Sequence, residues 1–436
     1  MKLNIVRKQE PVYTHEGARA VHIDVERQLR RSINACMLWE DSFYEEGKDI
    51  ASRIAELIPK CRPEYVAACA FEARTKMKLR HVPLLVVREM ARHPLHKAVV
   101  GDLLRDVIQR PDEITEFLAI YLKDGKKPLS AQIKKGLAAA FHKFNEYQFA
   151  KYDREGKVRL RDALFLCHAK PETAEQETLF KKIVDRKLET PDTWEVSLSG
   201  GADKKETFER LMAEKKLGAL AFLRNLRNMK EAGVTRTLVQ DYAENVKVER
   251  VLPFRFIAAA NAVPDWEPLL EPLMFKCLAA QPKIPGHTVL LIDGSGSMNQ
   301  AVSSKSEITR RDAAIALAIL LRELCDDVRI YGFSSSIWAI PPRRGFALRE
   351  AVNARVIAEA TMLGAAVRYA YSQGAADRVI VITDEQSHDT PPAPQGTGYV
   401  INVANMKNGI GYGPWIHIDG WSEAVIDYIR ESENAA

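Results

Sequence analysis

Near residue 280 the hydrophobic period of this chain changes, and that change limits what it can fold into. From Val21 to about Ala280 apolar residues recur at helical spacing, as in Asp24–Ile33, Ile50–Ile58, Glu64–Arg74 and Pro83–Met90. Prolines at 63, 83, 94, 111, 128, 171, 191 and 253 punctuate the pattern, at the first-turn positions where helices tolerate them. Helices of this length joined by short Pro-marked turns predict an α-solenoid of stacked helix pairs, by periodicity and without a sharp internal repeat. The stretch Cys277–Gly286, with two prolines and a glycine, reads as a linker. Beyond it strands (His287–Asp293, Val328–Phe333, Arg378–Thr383, Tyr399–Ala404, Trp415–Ile418) alternate with helices (Glu307–Leu324, Leu363–Ser372, Ser422–Ile429). Such alternation predicts a doubly wound parallel sheet with helices on both faces. The fold class is mainly α followed by α/β, divided into an N-terminal arm (1–20), a helical-repeat domain (21–280) and an α/β domain (286–436).

The first strand of the second part ends abruptly. Val289–Ile292 is apolar, and Asp293-Gly294-Ser295-Gly296-Ser297 follows. In an open α/β sheet, ligands sit at the carboxyl ends of the strands. One carboxylate and two hydroxyls there are hard oxygen donors that suit Mg²⁺ or a similar ion. A second apolar run, Val379–Thr383, ends in Asp384, and Thr361 precedes a Leu-Gly-Ala-Ala helix start between the two. The bland alternative is that Asp293 and Ser295 merely cap the next helix; the recurrence of Thr361 and Asp384 favours a metal. A nucleophilic serine is rejected, because the Gly-x-Ser-x-Gly elbow is missing around Ser295 and Ser297.

Composition adds a charge asymmetry. The net charge of +5 splits into 50 basic against 41 acidic residues over 1–285 and 13 against 17 over 286–436. Residues 74–105 hold 8 basic and 2 acidic residues, and residues 123–161 hold 11 and 4. Such density is the footprint of a phosphate-bearing partner, although a charge run is more often a solvated face. Within these runs Lys76, Lys78, Arg80, Lys134 and Lys135 are candidate phosphate contacts. The aromatics Phe141, Phe144, Tyr147, Phe149 and Tyr152 recur at helical spacing and read as core, Tyr152 excepted. No apolar run spans a bilayer, no signal region opens the chain, and the six scattered cysteines lack zinc spacing, so a cytoplasmic protein with reduced thiols is expected.

Two resemblances sharpen this picture. The segment from about Pro285 onward resembles the von Willebrand factor A domain with its metal-ion-dependent adhesion site, implying a divalent ion, Mg²⁺ in the first instance, on Asp293, Ser295, Ser297, Thr361 and Asp384. Leu129–Phe141, Lys151–Lys157, Leu160–Pro171, Leu223–Leu226 and Leu252–Arg255 resemble the TROVE module of the Ro autoantigen family, in its bacterial or phage type. That resemblance implies a ring of HEAT-like repeats closed by the von Willebrand A domain. It implies a non-enzymatic protein that binds small noncoding Y-like RNAs on a basic outer surface. Single-stranded 3′ ends of structured or misfolded RNAs would pass through a central hole, in RNA quality control, maturation or decay, with an exoribonuclease such as polynucleotide phosphorylase as partner. By motif, Lys151 and His168 correspond to Y RNA contacts. A second basic position falls on Glu155, a departure that Arg154 or Lys157 would make good, and Arg161 adds charge nearby. Neither DNA nor membrane is implied. The alternative from another class is a metal-dependent protein-interaction adaptor with the helical part as scaffold; the basic runs weigh against it. A metal-dependent hydrolase lacks a placed general base, His388 being a thin candidate.

Overall fold

The computed structural model describes residues 11–34, 46–125, 128–153, 156–248, 251, 254–279, 281–304, 306–355, 357, 359–404, 406, 408–411, 413–420 and 424–434. The chain forms two compact units. One comprises Ser32–Trp39 and Gly47–Cys277; the other comprises Met1–Arg31, Glu40–Glu46 and Leu278–Ala436.

Every regular element described within Gly47–Cys277 is helical. Four of the eight prolines open helices as the sequence predicts: Pro63, Pro94 and Pro111 are first residues, and Pro83 is second in Val82–Arg92. Pro128, Pro171 and Pro191 instead precede the capping residues Ser130, Thr173 and Thr193 by two positions, outside the first turn, and Pro253 lies outside the described residues. Elsewhere polar side chains cap the first turn, with Ser130, Asn145, Thr173, Thr193 and Asp203 each accepting a backbone N–H. Helices Lys97–Val107 and Ala131–Phe141 pack closely because glycines meet at the crossing. A β-carbon on Gly136 would lie 2.6 Å from the Gly101 carbonyl and 2.8 Å from Leu104 Cβ. Gly136→Ala is therefore expected to destabilise the helical unit by about 1–3 kcal/mol, seen as a lower midpoint in urea denaturation.

The second unit is built on six strands: β1 (Ile284–Asp293), β2 (Cys325–Phe333), β3 (Ile337–Ile340), β4 (Arg378–Thr383), β5 (Thr397–Asn402) and β6 (Ile416–Asp419). Their order is β3-β2-β1-β4-β5-β6, parallel throughout except for β3, which runs antiparallel to β2. All six residues of β4 are buried, as are the last six of β1, matching their unbroken apolar sequence. The strand order reverses between β1 and β4, and the carboxyl ends at such a reversal are where open α/β sheets take their ligands. Helices Arg310–Leu324, Gly345–Asn353, Leu363–Ser372 and Ala424–Asn434 complete the unit. Strand β3 and helix Gly345–Asn353 are additions to the elements predicted from sequence.

The N-terminal segment belongs to this sheet unit. Thr14 Oγ1 donates to the Ser387 carbonyl (2.9 Å), the His15 N–H to Gln386 Oε1 (2.6 Å) and the Val21 N–H to the Gly409 carbonyl (3.2 Å). Residues 11–21 are thus pinned across the loops that follow β4 and β5, where the sequence suggested a separate arm. Its polar character is spent on those loops.

Candidate metal centre and basic surface

Four of the five candidate metal ligands are buried, and Ser297 is half-buried. The β1 and β4 ends are neighbours in the sheet, with Ile292 paired to Ile382, so Asp293 and Asp384 emerge side by side. Asp293 Oδ1 accepts the Ser295 N–H (2.9 Å), and Oδ2 accepts the Thr383 hydroxyl (2.5 Å). Ser295 and Ser297 bring their hydroxyls to 3.3 Å of each other. Thr361 is held through its backbone: its N–H donates to His388 Nδ1 (3.1 Å), and its carbonyl accepts from Ser387 Oγ (2.9 Å). Among the described residues its hydroxyl makes no hydrogen bond. Ser334, one residue past β2, has a buried hydroxyl that also lacks a partner.

Electrostatics matches this geometry. Burial and the neighbouring Asp384 carboxylate push Asp293 well above the usual carboxylate range, against hydrogen bonds from Thr383 and Ser295. A divalent cation relieves such a pair of buried carboxylates, and the donor set of two carboxylates and three hydroxyls fits Mg²⁺. Among the described residues no group of three or more His, Cys, Asp or Glu side chains is placed to hold a metal ion. Arg310 was not singled out by sequence. Its guanidinium lies 3.3 Å from Asp384 Oδ2 and 3.3 Å from the Ser297 carbonyl. His388, the thin candidate for a general base, is engaged at both ring nitrogens, with Nε2 3.2 Å from Glu16.

The basic candidates divide by what they touch. Arg80 is turned inward on the carboxylates of Asp112, Glu113 and Glu116. Lys135 lies 3.4 Å from Asp102, and Lys78 donates to the Thr75 carbonyl. Lys76 is exposed and Lys134 half-buried. Arg154 and Glu155 lie outside the described residues. Lys151 lies in helix Glu146–Tyr152, Arg161 in helix Leu160–Cys167 and His168 at that helix's C-terminal cap, with Lys157 in the connection between the two. His168 caps the second helix in a left-handed conformation (φ 57°) with its side chain exposed. Lys151 Nζ is 5.8 Å from the Tyr152 ring centre, and the Arg161 guanidinium is 5.9 Å from that of Phe165. Phe141, Phe144 and Phe149 are core, as their spacing predicted. Tyr147 and Phe165 are not, at 54% and 55% exposure. The spacing predicts Tyr147 as core, and its exposure corrects that; helical spacing alone does not reveal which flank faces out.

No helix among the described residues is long and apolar enough to cross a membrane. Cys61, Cys69, Cys167, Cys277 and Cys325 are buried and form no disulfide among the described residues; Cys36 lies outside the described residues.

Residues 185–315 match the TROVE domain family. That span includes Leu223–Leu226, Leu252–Arg255 and the Asp293–Ser297 loop, and stops short of the Leu129–Pro171 motifs. A crystal structure of the Ro (Rsr) protein of Deinococcus radiodurans has the same fold, with a TM-score of 0.64 at 17% identity over 93% of this chain and 98% of that one. Telomerase protein component 1 of Rattus norvegicus is 22% identical over 313 residues, covering 51% of this chain and 12% of its own length. This chain therefore spans about an eighth of that curated relative. A stretch that crosses from the helices into the sheet thus matches the TROVE domain family, and the helical unit followed by a mostly parallel six-stranded sheet has the fold of a Ro protein.

Proposed function

We propose that this Ro-type protein binds structured noncoding RNA, Y-like RNA among it, on the face formed by helices Glu146–Tyr152 and Leu160–Cys167. Single-stranded 3′ ends would be its second target, in RNA quality control, maturation or decay. The observation that carries this reading is the mixture of chemistry on this stretch: Lys151 shares a helix with the exposed Tyr147, the Arg161 guanidinium is 5.9 Å from the centre of the exposed Phe165 ring, and Lys157 and His168 are exposed nearby in sequence. Cations meet phosphates without reading sequence, and exposed rings offer stacking to unpaired bases. A plain scaffold gains nothing from exposing them. The role is binding rather than catalysis, the place of action the cytoplasm, and an exoribonuclease such as polynucleotide phosphorylase the protein partner.

The test is competition between a hairpin RNA with a single-stranded 3′ tail and its blunt counterpart for the fluorescent tailed RNA. The tailed competitor is expected to win in wild type, and Phe165→Ala to weaken tailed binding by about 1–3 kcal/mol, the worth of one stacked base. Equal competition, with no effect of Phe165→Ala, counts against both the tail preference and the stacking role.

Asp293, Ser295, Ser297, Thr361 and Asp384 would hold a divalent ion, Mg²⁺ by donor type, which supplies a Lewis-acidic point for an anionic partner group when bound. Excess Mg²⁺ is then expected to raise the melting temperature of wild type and leave Asp293→Ala unmoved. An equal rise in both would place the ion elsewhere.

A further inference from the structure

Thr361 stands in the loop ahead of helix Leu363–Ser372, and the N-terminal segment reaches that loop through two side chains. Residues 12–20 fold into a tight hairpin. The Thr14 N–H donates to the Ala18 carbonyl (2.9 Å), the Ala18 N–H to Thr14 Oγ1 (3.0 Å) and the Ala20 N–H to the Val12 carbonyl (2.8 Å). Gly17, in a left-handed conformation (φ 89°), makes the turn. The hairpin's buried side chains are small, Thr14, Ala18 and Ala20, and Ala18 joins the apolar cluster of Val289, Val381 and Val400. Its polar contacts therefore decide how firmly it is seated.

The first link runs through His388. The His388 N–H donates to the Thr361 carbonyl (2.8 Å), and Nδ1 accepts the Thr361 N–H (3.1 Å), so one residue binds both backbone polar groups of Thr361. Because Nδ1 accepts, the ring carries its proton on Nε2, which faces Glu16 Oε2 at 3.2 Å. A carboxylate at that place fixes both the tautomer and the tilt of the ring, as outer partners do around metal sites. The second link runs through Ser387. Its carbonyl accepts from Thr14 Oγ1 (2.9 Å), while its hydroxyl donates to the Thr361 carbonyl (2.9 Å).

We propose that residues 12–20 are a strap that positions Thr361 for the divalent ion, with Glu16 and Thr14 as positioning residues acting through His388 and Ser387. This rests on the divalent-ion reading given above. With the strap seated, the Thr361 backbone is held from both sides. With it displaced, His388 loses the carboxylate that orients it and Ser387 loses its tie to Thr14. The coupling is an equilibrium one and therefore reciprocal: the ion favours the seated strap by the factor by which the strap favours the ion. Occupancy of the site is thus reported on the hairpin, well away in sequence from every ligand.

The experiment is calorimetric titration of the full chain with Mg²⁺, wild type beside Glu16→Ala and Glu16→Gln, joined to hydrogen exchange of the strap amides. Glu16→Ala is expected to weaken Mg²⁺ binding about tenfold, the low end of what loss of an outer partner costs a metal site. Glu16→Gln keeps an acceptor oxygen for Nε2 and should recover most of that loss. Glu16 is exposed, so the melting temperature without Mg²⁺ should stay close to wild type in both variants. In wild type Mg²⁺ should slow exchange at the Ala18 and Ala20 amides, and Glu16→Ala should shrink that slowing. A lowered melting temperature without Mg²⁺, with Mg²⁺ affinity unchanged, would make the contact merely structural and overturn the positioning role. Equal Mg²⁺ affinity in all three proteins overturns it while leaving the metal site standing. Absence of Mg²⁺ binding by wild type removes the metal site, and the strap's role with it.

Discussion

Replacing Arg31 by Met is expected to destabilise the sheet unit by about 3–5 kcal/mol, the usual cost of leaving a buried charge without its partner. Arg31 reaches the Glu385 carboxylate, 354 residues away, and donates from Nε to the Met406 carbonyl (2.7 Å). Glu385 is fully buried in a left-handed conformation (φ 62°), and also accepts the Gly411 N–H (2.7 Å) and faces His417 Nε2 (2.9 Å). Asp419 closes the group, 3.5 Å from Arg31 and 3.4 Å from His417. Two cations and two anions are thus sealed together behind the loop that carries Asp384. Removing one cation strands a carboxylate where water does not reach. Replacing Arg31 and Glu385 together by apolar residues should cost less than Arg31→Met alone. Urea denaturation of the three proteins provides the comparison.

The same group sets a pH dependence. Burial alone would lower His417, yet Asp419 and Glu385 raise it from 6.5 to about 9. Burial alone would raise Glu385, yet Arg31 and His417 bring it from 4.5 down to about 2. A raised histidine contributes stability that is complete below 6.5 and lost as pH climbs to about 9. A lowered glutamate contributes stability present above 4.5 and lost as pH falls towards 2. The melting temperature should therefore decline between pH 6.5 and 9, and His417→Gln should flatten that decline.

What the sequence reveals of all this follows from how local each feature is. β1 and β4 are legible because buried parallel strands are unbroken apolar runs, and Asp293 and Asp384 because they end those runs. β3 is four residues on a sheet edge, and helix Gly345–Asn353 begins after Arg344 without a side-chain cap, so neither announces itself. Arg310 reads as an ordinary first-turn residue. Its contact with Asp384 exists only once β4 lies beside β1. The Arg31 group joins three distant stretches of chain, and no spacing rule connects them. On the basic face the cations are visible as composition, whereas Arg80 shows that composition does not say which charges are already paired.

Removing the Lys151 and Arg161 charges is expected to have the largest effect on function. Each phosphate contact releases condensed counterions, so the logarithm of affinity falls linearly with the logarithm of salt, by roughly 0.7 to 0.9 per contact. Loss of two contacts should lower that slope by roughly 1.4 to 1.8 and weaken binding at every RNA sequence alike. Lys134 and Lys76, on other helices, serve as controls for general charge. Arg80→Ala is a different kind of control. It removes one partner from each of Asp112, Glu113 and Glu116 and should act on stability before it acts on RNA.

The decisive measurement is fluorescence anisotropy of a tailed hairpin RNA across a salt series, with wild type beside Lys151→Ala/Arg161→Ala. The account predicts tight binding at low salt, a steep salt dependence in wild type and a shallower one in the double variant. Wild-type binding that ignores salt, or a double variant with the wild-type slope, would contradict it.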